Sequence, residues 1–233
     1  MERKYFFRSP RKGKNGDDRG YGRGQKENNF MNYLAIDTSG DYLSVVAKIG
    51  EKTHEYFTFL AGVKQSEKLM PAIEEAFSAL DAKPCDVDVF AAVTGPGSFT
   101  GIRIGVATIK GFADALDKKV LGVTVFDALS YTEVEGKILT VVNANHGNYY
   151  VAGYTDGKES FAPKFVDTAE FEELLKEYSP IAYEEIPEVK VKVVSVMDGL
   201  KKAVENSLEK ASEDTDSVKP FYLRLSQAEE GRK

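Results

Sequence analysis

The chain has one cysteine, Cys85, and two histidines, His54 and His146, among its 233 residues. A single cysteine excludes an internal disulfide and suits a reducing compartment. Cys85 follows Pro84 with no histidine close by in sequence, so a cysteine nucleophile has no support. The histidines are far apart, and neither H-x-x-x-H nor H-E-x-x-H occurs. The spacing that holds zinc or iron through imidazoles is therefore missing, and no metal site is expected. Both histidines read as ordinary surface or turn residues. Long apolar runs are missing too. None approaches the roughly 18 residues that would span a bilayer. The basic opening is not followed by the apolar stretch of a secretory signal. These absences point to a cytoplasmic protein without a membrane segment.

Charge is present but unevenly placed. Residues 1–30 carry nine Lys/Arg against four Asp/Glu, and the remainder carries 22 against 33, a net of −11. A body this acidic lacks the broad basic surface that neutralises phosphates, so it is not expected to bind nucleic acid alone. Residues 1–30 are rich in Gly, Lys, Arg and Asn without a sustained period. They read as a disordered leader or an added extension, with the folded protein starting at Met31.

From Met31 onward the pattern alternates regularly. Tyr33–Ile36, Leu43–Ile49 and Thr53–Phe59 are β-rich runs, the first two separated by the turn cluster Asp37-Thr38-Ser39-Gly40-Asp41. A helix over Ser66–Leu80 has Leu69, Ile73, Ala76, Phe77 and Leu80 on one face. Strands are predicted at Val87–Val93 and Val120–Val125, with a long helix, Phe99–Leu116, between them and a short one, Phe126–Tyr131, after. The logic then restarts. Strands are predicted at Ile138–Val142, Tyr149–Tyr154, Phe161–Val166, Ile181–Tyr183 and Val189–Val196. Helices are predicted at Thr168–Tyr178, with Thr168 as cap, and Met197–Leu208. Three meandering strands followed by αβ units, twice over, imply an α/β protein of two related subdomains with a cleft between them. Residues 31–130 with the tail from Val218 to Lys233 form the first subdomain, and 131–217 the second.

Two motifs could carry chemistry. Asp37, Thr38 and Ser39 offer a carboxylate and two hydroxyls in the turn after the first strand, suited to a phosphate or hydrated Mg²⁺ or simply to the turn's own hydrogen bonds. Gly95, Gly97 and Ser98 lie in Thr94-Gly95-Pro96-Gly97-Ser98-Phe99-Thr100-Gly101, which runs from a strand into a helix. Glycines and a helix N-terminus suit an anion. Equally, Ser98 can be an ordinary N-cap. The long helix carries Gly101, Gly105 and Gly111, and each interior glycine costs about 1 kcal/mol relative to alanine. Its small-residue rows, Gly101/Gly105 and Ala107/Gly111/Ala115, permit close approach of another backbone, either this chain's own sheet or a second chain.

Four segments carry a family resemblance: Leu34-Ala35-Ile36-Asp37-Thr38-Ser39; Ser66-Glu67-x-Leu69-x-Pro71-x-Ile73; Thr94 to Gly105 (TGPGSFTGIRIG); and Pro220-x-Tyr222-Leu223-Arg224. Together they resemble the TsaB/YeaZ family, over Met31 to about Arg224. The resemblance implies the actin-like ATPase (ribonuclease H-like) fold, with tandem βββαβα subdomains. It implies a non-catalytic, partner-activating subunit of the complex that makes N6-threonylcarbamoyladenosine at position 37 of tRNA. The implied partners are a TsaD-type catalytic subunit and a TsaE-type ATPase, with tRNA met only through the complex and a homodimer when the chain is alone. Leu69, Ile73, Ile102, Gly105, Ala107, Gly111 and Ala115 are the implied interface. ATP or ADP with Mg at or near that interface is the cofactor it raises. Two departures stand out. Gln65 replaces the family's usual His, and Asn143-Ala144-Asn145 replaces its Asp-Ala-Arg.

Two other functions compete: an ATP-binding phosphotransferase or ATPase using Asp37 and the Gly95–Gly97 loop, and a glycopeptidase. The missing histidine pair argues against a metallopeptidase.

Overall fold

The structure is a computed structural model that describes residues 31–223 except Ala61, Val134 and Glu188. The leader 1–30 and the tail from Arg224 lie outside the described residues.

Three apolar or half-buried strands, β1 (Tyr33–Asp37), β2 (Tyr42–Ile49) and β3 (Lys52–Phe59), form the antiparallel meander. β4 (Val89–Val93) and β5 (Lys119–Val123) then add in parallel beside β1, giving the order β3-β2-β1-β4-β5. β6 (Lys137–Asn143), β7 (Asn148–Thr155) and β8 (Lys158–Asp167) make a second antiparallel meander. β9 (Ser179–Ala182) and β10 (Lys192–Val193) pair in parallel on its other side, giving β10-β9-β6-β7-β8. Read outward from β1 or β6, the two sheets have the same order and the same strand directions.

The helices occupy the faces these sheets cannot leave wet. α1 (Gln65–Leu80) buries Leu69, Ala72, Ile73, Ala76, Phe77 and Leu80. α2 (Phe99–Leu116) buries Ile102, Val106, Ile109 and Ala113. Both cover the outer face of the first sheet through Leu34, Ile36, Val45, Phe90 and Ala92. The inner face presents Tyr33, Ala35, Val46, Ala91 and Val123. It packs on α3 (Val125–Ser130) and α5 (Val196–Glu205), with Ile138 and Ile181 of the second sheet in the same core. α4 (Thr168–Leu175) places Phe171 on the far face of the second sheet against Tyr149, their rings stacked at 4.0 Å. The layers therefore run helices, sheet, helices, sheet, helix.

Several boundaries differ from the sequence expectation for local reasons. Val125 is not the end of a strand. Thr124 and Asp127 form a reciprocal capping box, Thr124 Oγ1 accepting from Asp127 N at 3.0 Å, and the chain turns into α3. Asp167, not Thr168, caps α4 by accepting from Glu170 N at 2.9 Å, while Thr168 donates to the Gly147 carbonyl at 2.7 Å. The expected strand Val189–Val196 shrinks to two exposed paired residues. Val194 turns into the core between the sheets and Val196 opens α5, leaving no face to continue an edge strand. The last described residues cross back to the first sheet: Phe221 N donates to Thr94 O at 2.8 Å, and Val218 enters the outer core.

Candidate functional site

β1 delivers Asp37 to the end of the sheet and the chain turns sharply there. Asp37 Oδ1 accepts from Ser39 N at 2.8 Å and from Ser39 Oγ at 2.6 Å. Its Oδ2 accepts from the Tyr42 hydroxyl at 3.0 Å. The carboxylate is fully buried, and burial pushes its pKa up while these donors pull it back. The glycine loop is fitted to this turn. Thr38 Oγ1 donates to Gly101 O at 2.7 Å, and Ser98 N donates to Ser39 O at 2.7 Å. A Cβ at Gly97 would lie 2.2 Å from Ser39 O, and one at Gly101 would lie 1.9 Å from Thr38 O. A Cβ at Gly105 would sit 2.6 Å from Thr38 Oγ1. Three of these glycines thus exist so that α2 can pass over the Asp37–Ser39 turn.

β6 ends in the counterpart turn. Asn143 Oδ1 accepts from Asn145 N at 2.8 Å, as Asp37 does from Ser39. Asn145, His146 and Gly147 follow with φ of 63°, 55° and 71°, which only turn-adapted residues tolerate. The two turns face one another across a cleft of about 320 Å³ between the sheets. The first half contributes Ser39, Asp41, Tyr42 and Ser98, and the second Asn143, Asn145, Tyr150, Tyr183 and Glu184. Its charged lining, among the described residues, is Asp41 and Glu184, both acidic. Burial pushes the Glu184 carboxyl up, and the Asp41 charge adds to that rise.

Asp37, Thr38, Ser39, Gly97 and Ser98 are brought together, but to bind each other. Gly95 sits apart, under the returning tail, where a Cβ would meet Phe221 O at 2.8 Å. As a phosphate cradle the set does not fit. The Ser98 N–H is taken by Ser39 O, the space beside Gly97 is filled by that carbonyl, and no lining cation faces the cleft among the described residues. The expected interface residues separate as well. Leu69, Ile73, Ile102 and Gly105 are buried in this chain's own core and present no surface, because their face of α1 and α2 covers the first sheet. Ala107, Gly111 and Ala115 lie on the exposed side of α2. Among the described residues, a Cβ at Gly111 would have no neighbour within 4 Å.

The model of the family described as "TsaD: tRNA N6-adenosine threonylcarbamoyltransferase" matches residues 60–230. The TsaB protein of Bacillus subtilis, described as a tRNA threonylcarbamoyladenosine biosynthesis protein, is 34% identical over 128 residues, covering 53% of this chain and 55% of that protein. The Escherichia coli protein of the same description is 26% identical over an equal length. The chain belongs to the TsaB/YeaZ family. It spans about half the length of these curated relatives in those matches. The solved structure of YeaZ from Pseudomonas aeruginosa covers 83% of this chain and 100% of its own, at 19% identity and a TM-score of 0.66. That likeness establishes the duplicated actin-like, ribonuclease H-like fold.

Within the TsaB/YeaZ family pattern, the departures have visible places. Gln65, where a His is usual, donates through Nε2 to the Gly40 carbonyl at 3.3 Å and ties α1 to the first turn. Asn143 and Asn145 keep the turn without its charges. Sequence reasoning missed Asp41, Tyr42, Tyr183 and Glu184, whose only local signal is a position just past a strand end or at a strand start. It also missed the aromatic cap on α2. Tyr222 stacks on Phe99 with centroids 4.0 Å apart, and Arg103 Nε donates to the Tyr222 hydroxyl at 2.9 Å.

Proposed function

We propose that this chain is the non-catalytic partner and activator of a TsaD-type catalytic subunit in making N6-threonylcarbamoyladenosine at position 37 of tRNA. The observation that carries the reading is Gly111. Gly101 and Gly105 are explained inside the chain by Thr38, but a Cβ at Gly111 would meet nothing within 4 Å among the described residues. A glycine in a helix interior costs about 1 kcal/mol relative to alanine, and no close approach among the described residues requires it here. Flanked by exposed Ala107 and Ala115, it leaves room for a second helix to approach closely.

The TsaD-type subunit is that second chain on this reading, and a TsaE-type ATPase is the third component. The acidic body leaves tRNA contact to the partners. Alone, two copies would meet through the same face as a two-fold homodimer. A Mg-bound ATP or ADP belongs at the junction between subunits, since this chain's own cleft supplies no cation to a phosphate among its described lining. The competing reading, a phosphotransferase, needs the anion position that Ser39 O occupies. No helix of the described residues is long and apolar enough to cross a membrane, and a cytoplasmic place fits the reading.

The test is Ala107→Leu with Gly111→Leu, followed by sedimentation and pull-down of the TsaD-type subunit. Both positions face solvent, so the fold is retained. Binding at least tenfold weaker is expected, and binding as tight as the parent's refutes the interface.

A further inference from the structure

Arg103 stands on the exposed side of α2, in one row with Phe99, Ala107 and Gly111 at four-residue spacing. Its side chain is held in place. The guanidinium carbon lies 4.7 Å from the centre of the Phe99 ring and 5.7 Å from that of Tyr222. Those rings stack on each other with centroids 4.0 Å apart. Arg103 Nε donates to the Tyr222 hydroxyl at 2.9 Å. Fixing so long a side chain at a surface costs conformational entropy, and the rings offset it through their quadrupoles.

What holds Arg103 is not an acid. It forms no salt bridge among the described residues. The residues three and four away along the helix are Phe99, Thr100, Val106 and Ala107, so helical spacing brings it no carboxylate either. A guanidinium has five N–H donors. Tyr222 takes the one on Nε and closes that edge. The edge left open carries the two Nη atoms, whose spacing matches the two oxygens of one carboxylate.

The surroundings decide which anion suits it. A nucleic-acid backbone is held by several cations acting together. Arg103 is the one cation of its row, on a body whose net charge from Met31 onward is −11. Its exposed neighbours in the row, Ala107 and Gly111, are small and uncharged. Arg and Tyr beside a smooth apolar strip are the residue types that carry most of the energy of protein–protein contacts.

We propose that Arg103 is the anchor of the α2 interface, receiving an Asp or Glu carboxylate from a helix of the second chain through its two Nη atoms, with Phe99 and Tyr222 flanking the pair. This rests on the partner-subunit reading and adds the chemistry of the partner. The helix that lies along Ala107 and Gly111 carries an acidic residue level with Arg103.

The experiment titrates the TsaD-type subunit with the full chain at low and high salt, for the parent, Arg103→Gln and Arg103→Lys. Thermal melting of each variant confirms that it is folded. Arg103→Gln should weaken binding about tenfold or more and flatten its salt dependence. Arg103→Lys should weaken it also, since an ammonium keeps the charge but loses the fork and the stack. The anchor is overturned if both variants bind like the parent, or if lysine alone restores full affinity. A lower melting temperature with affinity kept would make Arg103 a clasp for this chain's own tail instead. Weaker tRNA retention by the assembled complex, with subunit affinity kept, would make it a phosphate reader, and the proposal would fall. Ala107→Leu with Gly111→Leu separates the two readings. Loss of binding there, with the Arg103 variants unaffected, removes the anchor and leaves the interface standing.

Discussion

Ser98 donates its backbone N–H to the carbonyl of Ser39 at 2.7 Å, closing the glycine loop onto the turn that follows the first strand. In a phosphate-binding loop that donor would face the ligand. Here it faces the protein, so the most distinctive string in the sequence acts first as packing. Four experiments follow from this arrangement and from the contacts around it.

Gly101→Ala and Gly111→Ala should have opposite effects, although both place alanine in one helix. The Gly101 Cβ would land 1.9 Å from the Thr38 carbonyl, a backbone atom that cannot swing away. Loss of about 2–4 kcal/mol is expected, from overpacking. Gly111→Ala meets nothing and should gain about 1 kcal/mol from helix propensity. Urea unfolding midpoints of the two variants decide the matter. Equal shifts would contradict the packing described.

The buried Asp37 should make stability depend on pH in a stated direction. Its pKa is raised in the folded protein above the ordinary 3.8, chiefly by burial. A carboxyl with a raised folded pKa binds more protons folded than unfolded in the window above 3.8. Stability from this group therefore rises as pH falls towards 3.8 and is lost as pH rises through the folded value. Asp37→Asn should remove that component. Unfolding free energies of parent and variant, measured from pH 4.5 to 7.5, should diverge in the parent's favour at the acid end.

Tyr222→Ala should loosen the α2 entrance without breaking the core. It removes the stack on Phe99 and the acceptor for Arg103. Tyr222 is part exposed, so a cost of about 1 kcal/mol is expected. Hydrogen exchange should quicken at the amides of the first turns of α2 and stay unchanged in α4, on the far sheet.

Gly199→Ala should disturb the helices between the sheets. Its Cβ would meet the Ala128 carbonyl at 2.7 Å and the Tyr183 hydroxyl at 2.3 Å. About 2–4 kcal/mol of destabilisation is expected. Adding Tyr183→Phe removes only the second clash, so a partial recovery in thermal melting is expected. Full recovery would mean the Ala128 contact relaxes freely.

Most elements were legible because their signals are local. Residues Phe99–Leu116 read directly as α2: Ser98 caps the start, accepting from Gly101 N at 3.2 Å, and Asp117 ends it at φ 54°. The apolar period of α1 named its buried face. The repeated order of three strands and αβ units foretold two sheets of like topology, because strand and helix periods are written residue by residue. Even the Thr124 to Asp127 capping box was present in the chain, though a valine-rich run obscured it.

The site was legible only as a set of names. Asp37, Ser39, Gly97 and Ser98 stand out in sequence, yet whether they hold a ligand or one another depends on how far α2 sinks onto the first turn. That depth is decided by packing of α2 on the outer face of the first sheet, through contacts between residues distant in the chain. The same packing turned Gly105 inward and left Gly111 outward, though both are glycines of one helix. The cleft's acidic lining comes from Asp41 and Glu184, which no local pattern links. Propensity and period depend on neighbours along the chain, and the sequence alone determined those. Close approach, burial and charge pairing depend on neighbours in space, and only the tertiary structure could decide them.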